Sequence, residues 1–98
     1  MTRINMKYRL TSTKDFRRQY KKLKRSGDNR AFEELKNTIE KLQNGEVLSE
    51  RYKSHVLKGI FNGYFECHVL SDWLLIYQIY EDILILELVA TGSHSELF

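Results

Sequence analysis

The stretch GYFECHVLSDWLLIYQIYEDILILELV, residues 63–89, decides the fold. It opens with a period of two: Tyr64, Glu66 and His68 share one face, and Phe65, Cys67 and Val69 share the other, as in a β-strand. Ser71, Asp72 and Trp73 are turn chemistry. Trp73 to Tyr80 reads as a second strand, Glu81-Asp82-Ile83 turns the chain, and Ile83 to Val89 reads as a third. Apart from Gln78 and Glu87, the last two strands are apolar on both faces. They are therefore expected at the centre of the sheet, covered on both sides. Three strands joined by short turns form an antiparallel meander.

Upstream of this stretch the period changes. Met6, Tyr8 and Leu10 alternate with Lys7 and Arg9, which predicts a short first strand. Ser12, three residues before Asp15, has the pattern of a helix start. Phe16, Tyr20 and Leu23 then recur at helical spacing up to Gly27. Asp28 can cap a second helix with Ala31, Leu35, Ile39 and Leu42 inward, stopped by Asn44-Gly45-Glu46. Two helices joined by a tight turn make a hairpin. Glu46 to Gly59 has no clear period and is expected to be a loop over one sheet edge. The sum is an α+β domain over residues 1–98, in the order β-α-α-β-β-β, with the helix pair packed on an antiparallel sheet.

The 98 residues suffice for one modest core. One cysteine rules out an internal disulfide, and there is no signal-peptide pattern, so a reducing, cytoplasmic compartment is expected. The longest apolar runs, WLLIY and ILIL, are far short of the roughly 20 residues that span a bilayer. Charge is unevenly spread. Between Lys14 and Arg30 there are eight Lys or Arg against only Asp15 and Asp28. On the first helix Lys14, Arg17, Arg18, Lys21, Lys22 and Arg25 form a basic stripe, which is either a solvated face or a footprint for a polyanion.

All three histidines, His55, His68 and His94, lie in the second half. Singly, each has a plain explanation: a solvated loop, an exposed strand tip, a tail. Jointly they suggest a site, because an antiparallel meander can bring the end of the His68 strand near His94. Asp72 and Trp73 sit in the turn between. Histidine exchanges protons near neutral pH, and a neighbouring carboxylate can orient it or act as a base. Arg51, Lys53 and Lys58 favour an anionic substrate, while Tyr64, Trp73 and Phe98 offer faces on which an unpaired base can stack. These are the parts needed to cut RNA, whose 2′-OH is an internal nucleophile. No metal-ligand spacing and no glycine-rich phosphate loop is present, so no cofactor is expected. Cys67, on the inward face, reads as a buried structural thiol.

Three ordered blocks, YKSHVLKG (52–59), GYFECHVLSDWLLIY (63–77) and TGSHSELF (91–98), resemble the YafQ branch of the RelE/ParE toxin superfamily. The resemblance implies a toxin of a type II toxin–antitoxin pair, paired with a cognate antitoxin. It implies a protein that enters the ribosome and cleaves mRNA there by metal-free chemistry. The family's active site then falls on His55, His68, Asp72, Trp73, His94 and Phe98. His94 is expected as general acid and Asp72 as general base, with His55 and His68 positioning ribose and phosphate. Members often carry an arginine four residues before the last histidine, where this chain has Ala90. The cation is expected instead from Arg51, Lys53 or Lys58; if none compensates, Ala90→Arg should speed cleavage. The alternatives are a ParE-like toxin without RNA chemistry and a non-catalytic module that binds its antitoxin. Chains of the ParE type generally lack the His-Asp-His set.

Overall fold

The structure, a computed structural model, describes residues 6–98. The first five residues of the expected domain lie outside the described residues. Five strands make one sheet in the order β1-β5-β4-β3-β2: β1 Arg9–Ser12, β2 His55–Val56, β3 Phe65–Leu70, β4 Trp73–Tyr80 and β5 Ile85–Gly92. Helices α1 (Lys14–Arg25) and α2 (Asn29–Gln43) precede β2, and a one-turn helix α3 (His94–Leu97) follows β5.

The meander forms as its period demands, with β3–β4 and β4–β5 antiparallel and β4 and β5 interior. The expected all-antiparallel sheet is corrected at one edge, where β1 runs parallel to β5. The physical reason is the path of the chain. From β1 the helical hairpin crosses one face of the sheet, and the chain re-enters at the opposite edge as β2. The segment expected to be a loop, 46–59, therefore supplies a fifth strand, flanked by 3-10 turns at Glu50–Tyr52 and Gly59–Phe61. Strand β2 is only two residues long, too short for a period to register.

Boundaries also shift. The first strand was expected at Met6–Leu10, yet Tyr8 is buried while Met6 and Leu10 are exposed. The amides of Lys7 and Tyr8 bond the Gln43 carbonyl at 3.0 and 3.1 Å, so this segment seals the end of α2 before β1 begins. Ser12 stays in β1, and Thr13 caps α1 by accepting the Phe16 amide at 3.0 Å. The turn after β4 runs on through Leu84, which takes a left-handed φ of 53°, so β5 starts and ends later than expected. Asp28 caps α2 as expected, accepting the Ala31 amide at 3.1 Å.

Each face of the sheet carries its own core. On the helix side, Phe16, Leu23, Leu35, Ile39 and Leu42 pack against Cys67, Val69, Leu75, Tyr77, Leu86 and Leu88. Burying a leucine there contributes about 1.5–3 kcal/mol. That packing, rather than propensity, holds helices of 12 and 15 residues. On the other face a small core joins Leu57, Ile76 and Ala90, with Phe61, Tyr64, Val89 and Leu97 packed around it. This second core positions the candidate site.

Candidate active site

The β2–β3 register sets His55 opposite Glu66. Directly paired residues project to the same face, and His68, two positions on from Glu66, joins them. The His55 Nδ1 lies 2.7 Å from the Lys53 carbonyl. A carbonyl can only accept, so Nδ1 carries hydrogen and donates it. The ring's Nε2 is thereby turned to Glu66, 3.4 Å from Oε1. His68 Nε2 approaches the same oxygen at 3.9 Å. Glu66 is only 5% exposed, and its other oxygen, Oε2, is buried without a hydrogen-bond partner. A buried carboxylate is costly unless charges or donors surround it, and two imidazole rings approach its Oε1. Lys53 supports the arrangement from a left-handed backbone, φ 48°. For a non-glycine residue this is a strained conformation of the kind that gathers at working sites.

Beside His68 lies a cleft of about 420 Å³ lined by Arg30, Arg51, Lys53, His68, Leu70 and Ser71, with no carboxylate in its wall. Arg51 is fixed there: its guanidinium lies 3.9 Å over the Tyr52 ring, bonds the Tyr52 hydroxyl at 2.7 Å and pairs with Glu34 at 3.3 Å. Lys58 starts the Gly59–Phe61 turn, is exposed, and makes no ion pair among the described residues.

The tail is built, not frayed. Ser93 caps α3 in a reciprocal box with Glu96, and Lys22 of α1 reaches Glu96 at 3.6 Å. The Glu96 carboxyl is held below its ordinary value by the Ser93 amide first, then by the Ser93 hydroxyl and Lys22. This one turn sets the His94 ring 5.1 Å from Phe98, and Phe98 meets Phe61 edge-on at 5.9 Å. His94 and Phe98 are both exposed.

Other expected residues are placed differently. Asp72 is exposed in the β3–β4 turn, and among the described residues no hydrogen bond or ion pair joins it to a histidine. Trp73 faces the helices, where its Nε1 donates to Thr91 Oγ1 at 2.9 Å and its ring packs against the main core. It therefore lies across the sheet from Glu66. The six stripe cations of α1 are all exposed on the helix surface, with Arg18 paired to Asp15 at 3.4 Å. Ala90 is 5% exposed under Leu57 and beside Ile76, so the site of the expected arginine has closed over. Among the described residues, no group of three or more His, Cys, Asp or Glu is arranged to hold a metal ion.

Sequence reading passed over Glu66 and Phe61. Glu66 left a signal: a lone acid between Tyr64 and His68 on one strand face. Phe61 left none, because its role depends on how the 59–61 turn meets the tail.

Residues 8–98 match the family model described as the bacterial toxin of type II toxin–antitoxin systems, YafQ. The chain belongs to the YafQ toxin family. Over 47 residues it is 45% identical to the mRNA interferase toxin YafQ of Escherichia coli K12, a stretch spanning 48% of this chain and 49% of that relative. The chain thus matches about half the length of that YafQ. Solved structures match over more. A metal-bound toxin from Helicobacter pylori is 36% identical with a TM-score of 0.82, covering 93% of this chain and 99% of that one. YafQ in the E. coli DinJ–YafQ toxin–antitoxin complex is 30% identical with a TM-score of 0.79, covering 95% and 99%. A YoeB/ParE toxin from Agrobacterium tumefaciens, 21% identical with a TM-score of 0.75 over 88% of this chain and 98% of that one, shares the fold. Among the described residues of this YafQ-family chain, no helix is long and apolar enough to cross a membrane.

Proposed function

We propose that the protein is an mRNA endoribonuclease, the toxin of a type II pair, acting on message bound to the ribosome and neutralised by a cognate antitoxin. The observation that carries this reading is the buried Glu66 carboxylate between His55 and His68, with His68 in the wall of a cation-lined cleft. The named activity of the E. coli relative and its complex with DinJ support it.

The chemistry follows from the parts. Asp72, as general base, takes the proton of the ribose 2′-OH. The freed oxygen attacks phosphorus. His94, as general acid, protonates the leaving 5′-oxygen as its bond to phosphorus breaks, leaving a 2′,3′-cyclic phosphate and a 5′-hydroxyl. His55 and His68, coupled through Glu66, hold the ribose and phosphate. Lys58 faces the charge that builds on the oxygens of the scissile phosphate, in place of the arginine that Ala90 lacks, and Arg51 and Lys53 line the cleft beside it. Phe98, with Phe61 behind it, gives a base a surface to stack on. The exposed stripe of α1 docks on ribosomal RNA, and an acidic antitoxin segment covers part of this basic surface.

Single-turnover cleavage of mRNA on programmed ribosomes tests the reading. Wild type should cut ribosome-bound message far faster than free RNA, and His94→Ala should lose about 10²–10⁴ in rate. Growth arrest without any cut message would instead favour a toxin of the ParE kind.

A further inference from the structure

Arg30 is a cation whose position its own helix does not explain. It stands in the first turn of α2, a turn that contains no acid, where the helix dipole disfavours positive charge. It is exposed and makes no ion pair among the described residues. Yet it lines the same cleft as Arg51, Lys53 and His68. Three cations from two parts of the chain thus meet around this space: Arg51 is paired with Glu34, while Arg30 and Lys53 make no ion pair among the described residues. Gathering like charges costs energy that a bound anion offsets.

The place of the cleft says which anion. Strand β2 pairs only with Phe65 and Glu66 of β3, so from His68 to Leu70 the outer edge of β3 has no strand beside it among the described residues, and the Glu50–Tyr52 turn packs against β3 instead. The cleft opens along that edge, directly next to His68. Resting on the reading of the protein as a ribonuclease, we infer that Arg30, Lys53 and Arg51 form a second phosphate subsite. It holds the phosphodiester of the RNA strand next to the scissile one. The Ser71 hydroxyl completes the donor set. The RNA strand then leaves the site over the β3 edge toward the start of α2. Arg51, already fixed by Tyr52 and Glu34, is the rigid wall, and Arg30 and Lys53 are the arms that close on the phosphate.

The test is a heteronuclear NMR titration, which registers weak binding. The probes are 2′-O-methyl RNAs, which cannot be cut: a trinucleotide with two internal phosphates and a dinucleotide with one. The trinucleotide should shift the amides of Arg30, Lys53 and Ser71 and bind more tightly than the dinucleotide. Arg30→Ala and Lys53→Met should weaken trinucleotide binding roughly three- to tenfold, the worth of one exposed charge-assisted contact, and abolish its advantage. Arg30→Lys should keep most of it, and Lys41→Ala, a matched loss of charge elsewhere, should change nothing. Equal binding of the two probes, or trinucleotide affinity unchanged in Arg30→Ala, overturns the subsite. So does an acidic peptide that binds more tightly than the trinucleotide and depends equally on Arg30, which would make the cleft a protein-binding surface. Failure of the wild type to cut message on the ribosome would sink the ribonuclease reading and leave these binding results standing. Normal cutting with probe binding indifferent to Arg30 would sink the subsite alone.

Discussion

Glu66 is the buried acid of the candidate site, with one oxygen approached by two histidines and the other without a hydrogen-bond partner among the described residues. If it acts through those rings, its loss and theirs are one event. The expected outcome is that Glu66→Gln and His55→Ala each slow single-turnover cleavage, while the double variant is little worse than either. A double-mutant cycle measures this coupling, and strictly additive losses would dissociate the pair. Cys67 lies one position away with the opposite fate. It points into the helix-side core, and burial pushes its thiol up to about 12. Thiolate is the reactive form, so the native protein should stay unmodified by iodoacetamide at pH 8 and react fully once unfolded. Rapid labelling of the folded protein would contradict the burial.

At the scale of an element, α3 places the candidate residues His94 and Phe98 with a single turn. Too short to stand alone, it is held by its capping box and by the Lys22–Glu96 pair. The folded state lowers the Glu96 carboxyl below its ordinary value of 4.5, so its contribution is fully present above that pH. It is lost as pH falls through the lower, folded value. The protection of the Phe98 amide, which bonds the His94 carbonyl at 2.9 Å, relative to its exchange in an unstructured peptide at the same pH, should therefore fall in acid. Glu96→Gln should show faster exchange already at neutral pH. Identical exchange in the two proteins at pH 7 would mean that the box does not hold the tail. Strand β5 gives a second expectation. Ala90 sits under Leu57, so Ala90→Arg forces a guanidinium into a closed apolar space and should cost about 1–3 kcal/mol in urea unfolding. Restoring the family's arginine is thus expected to destabilise this chain before it can help catalysis. A stable, faster Ala90→Arg variant would refute that account.

Across the whole molecule, the helical hairpin does two things at once. Its inner side closes the larger core, and its outer side displays the basic stripe. Because Lys21, Lys22 and Arg25 are exposed, reversing their charge leaves the core intact. The triple Glu variant gives up the Lys22–Glu96 pair at α3 but keeps the core, so it is expected to fold and to bind ribosomes more weakly, with a shallower dependence on salt. Sedimentation with ribosomes across a salt series measures both. Wild-type binding by the triple variant at every salt concentration would show that the stripe is only a solvated surface. The sheet separates the basic stripe from the face that holds Glu66, so under the proposed function ribosomal RNA and message would meet different surfaces of the protein.

Local pattern was enough for the helices, the meander and the three histidine blocks. Capping by Asp28, the period of β3 and the apolar runs of β4 and β5 all express themselves within a few residues, where sterics and hydrogen bonding act. The same blocks carried the family. What depended on distant pairing was decided only by the tertiary structure. The parallel seat of β1 beside β5 follows from the chain crossing the whole sheet between residues 12 and 55. Strand β2 exists because β3 offers it an edge, not because His55-Val56 is a strand by itself. Glu66 becomes the partner of His55 through that register, and the pleat sends Trp73 to the helix side. Arg30 reaches the cleft because the start of α2 lies near the turn that holds Arg51 and Lys53. In each case the partners are far apart in the chain, and only the packed fold brings their charges and rings into contact.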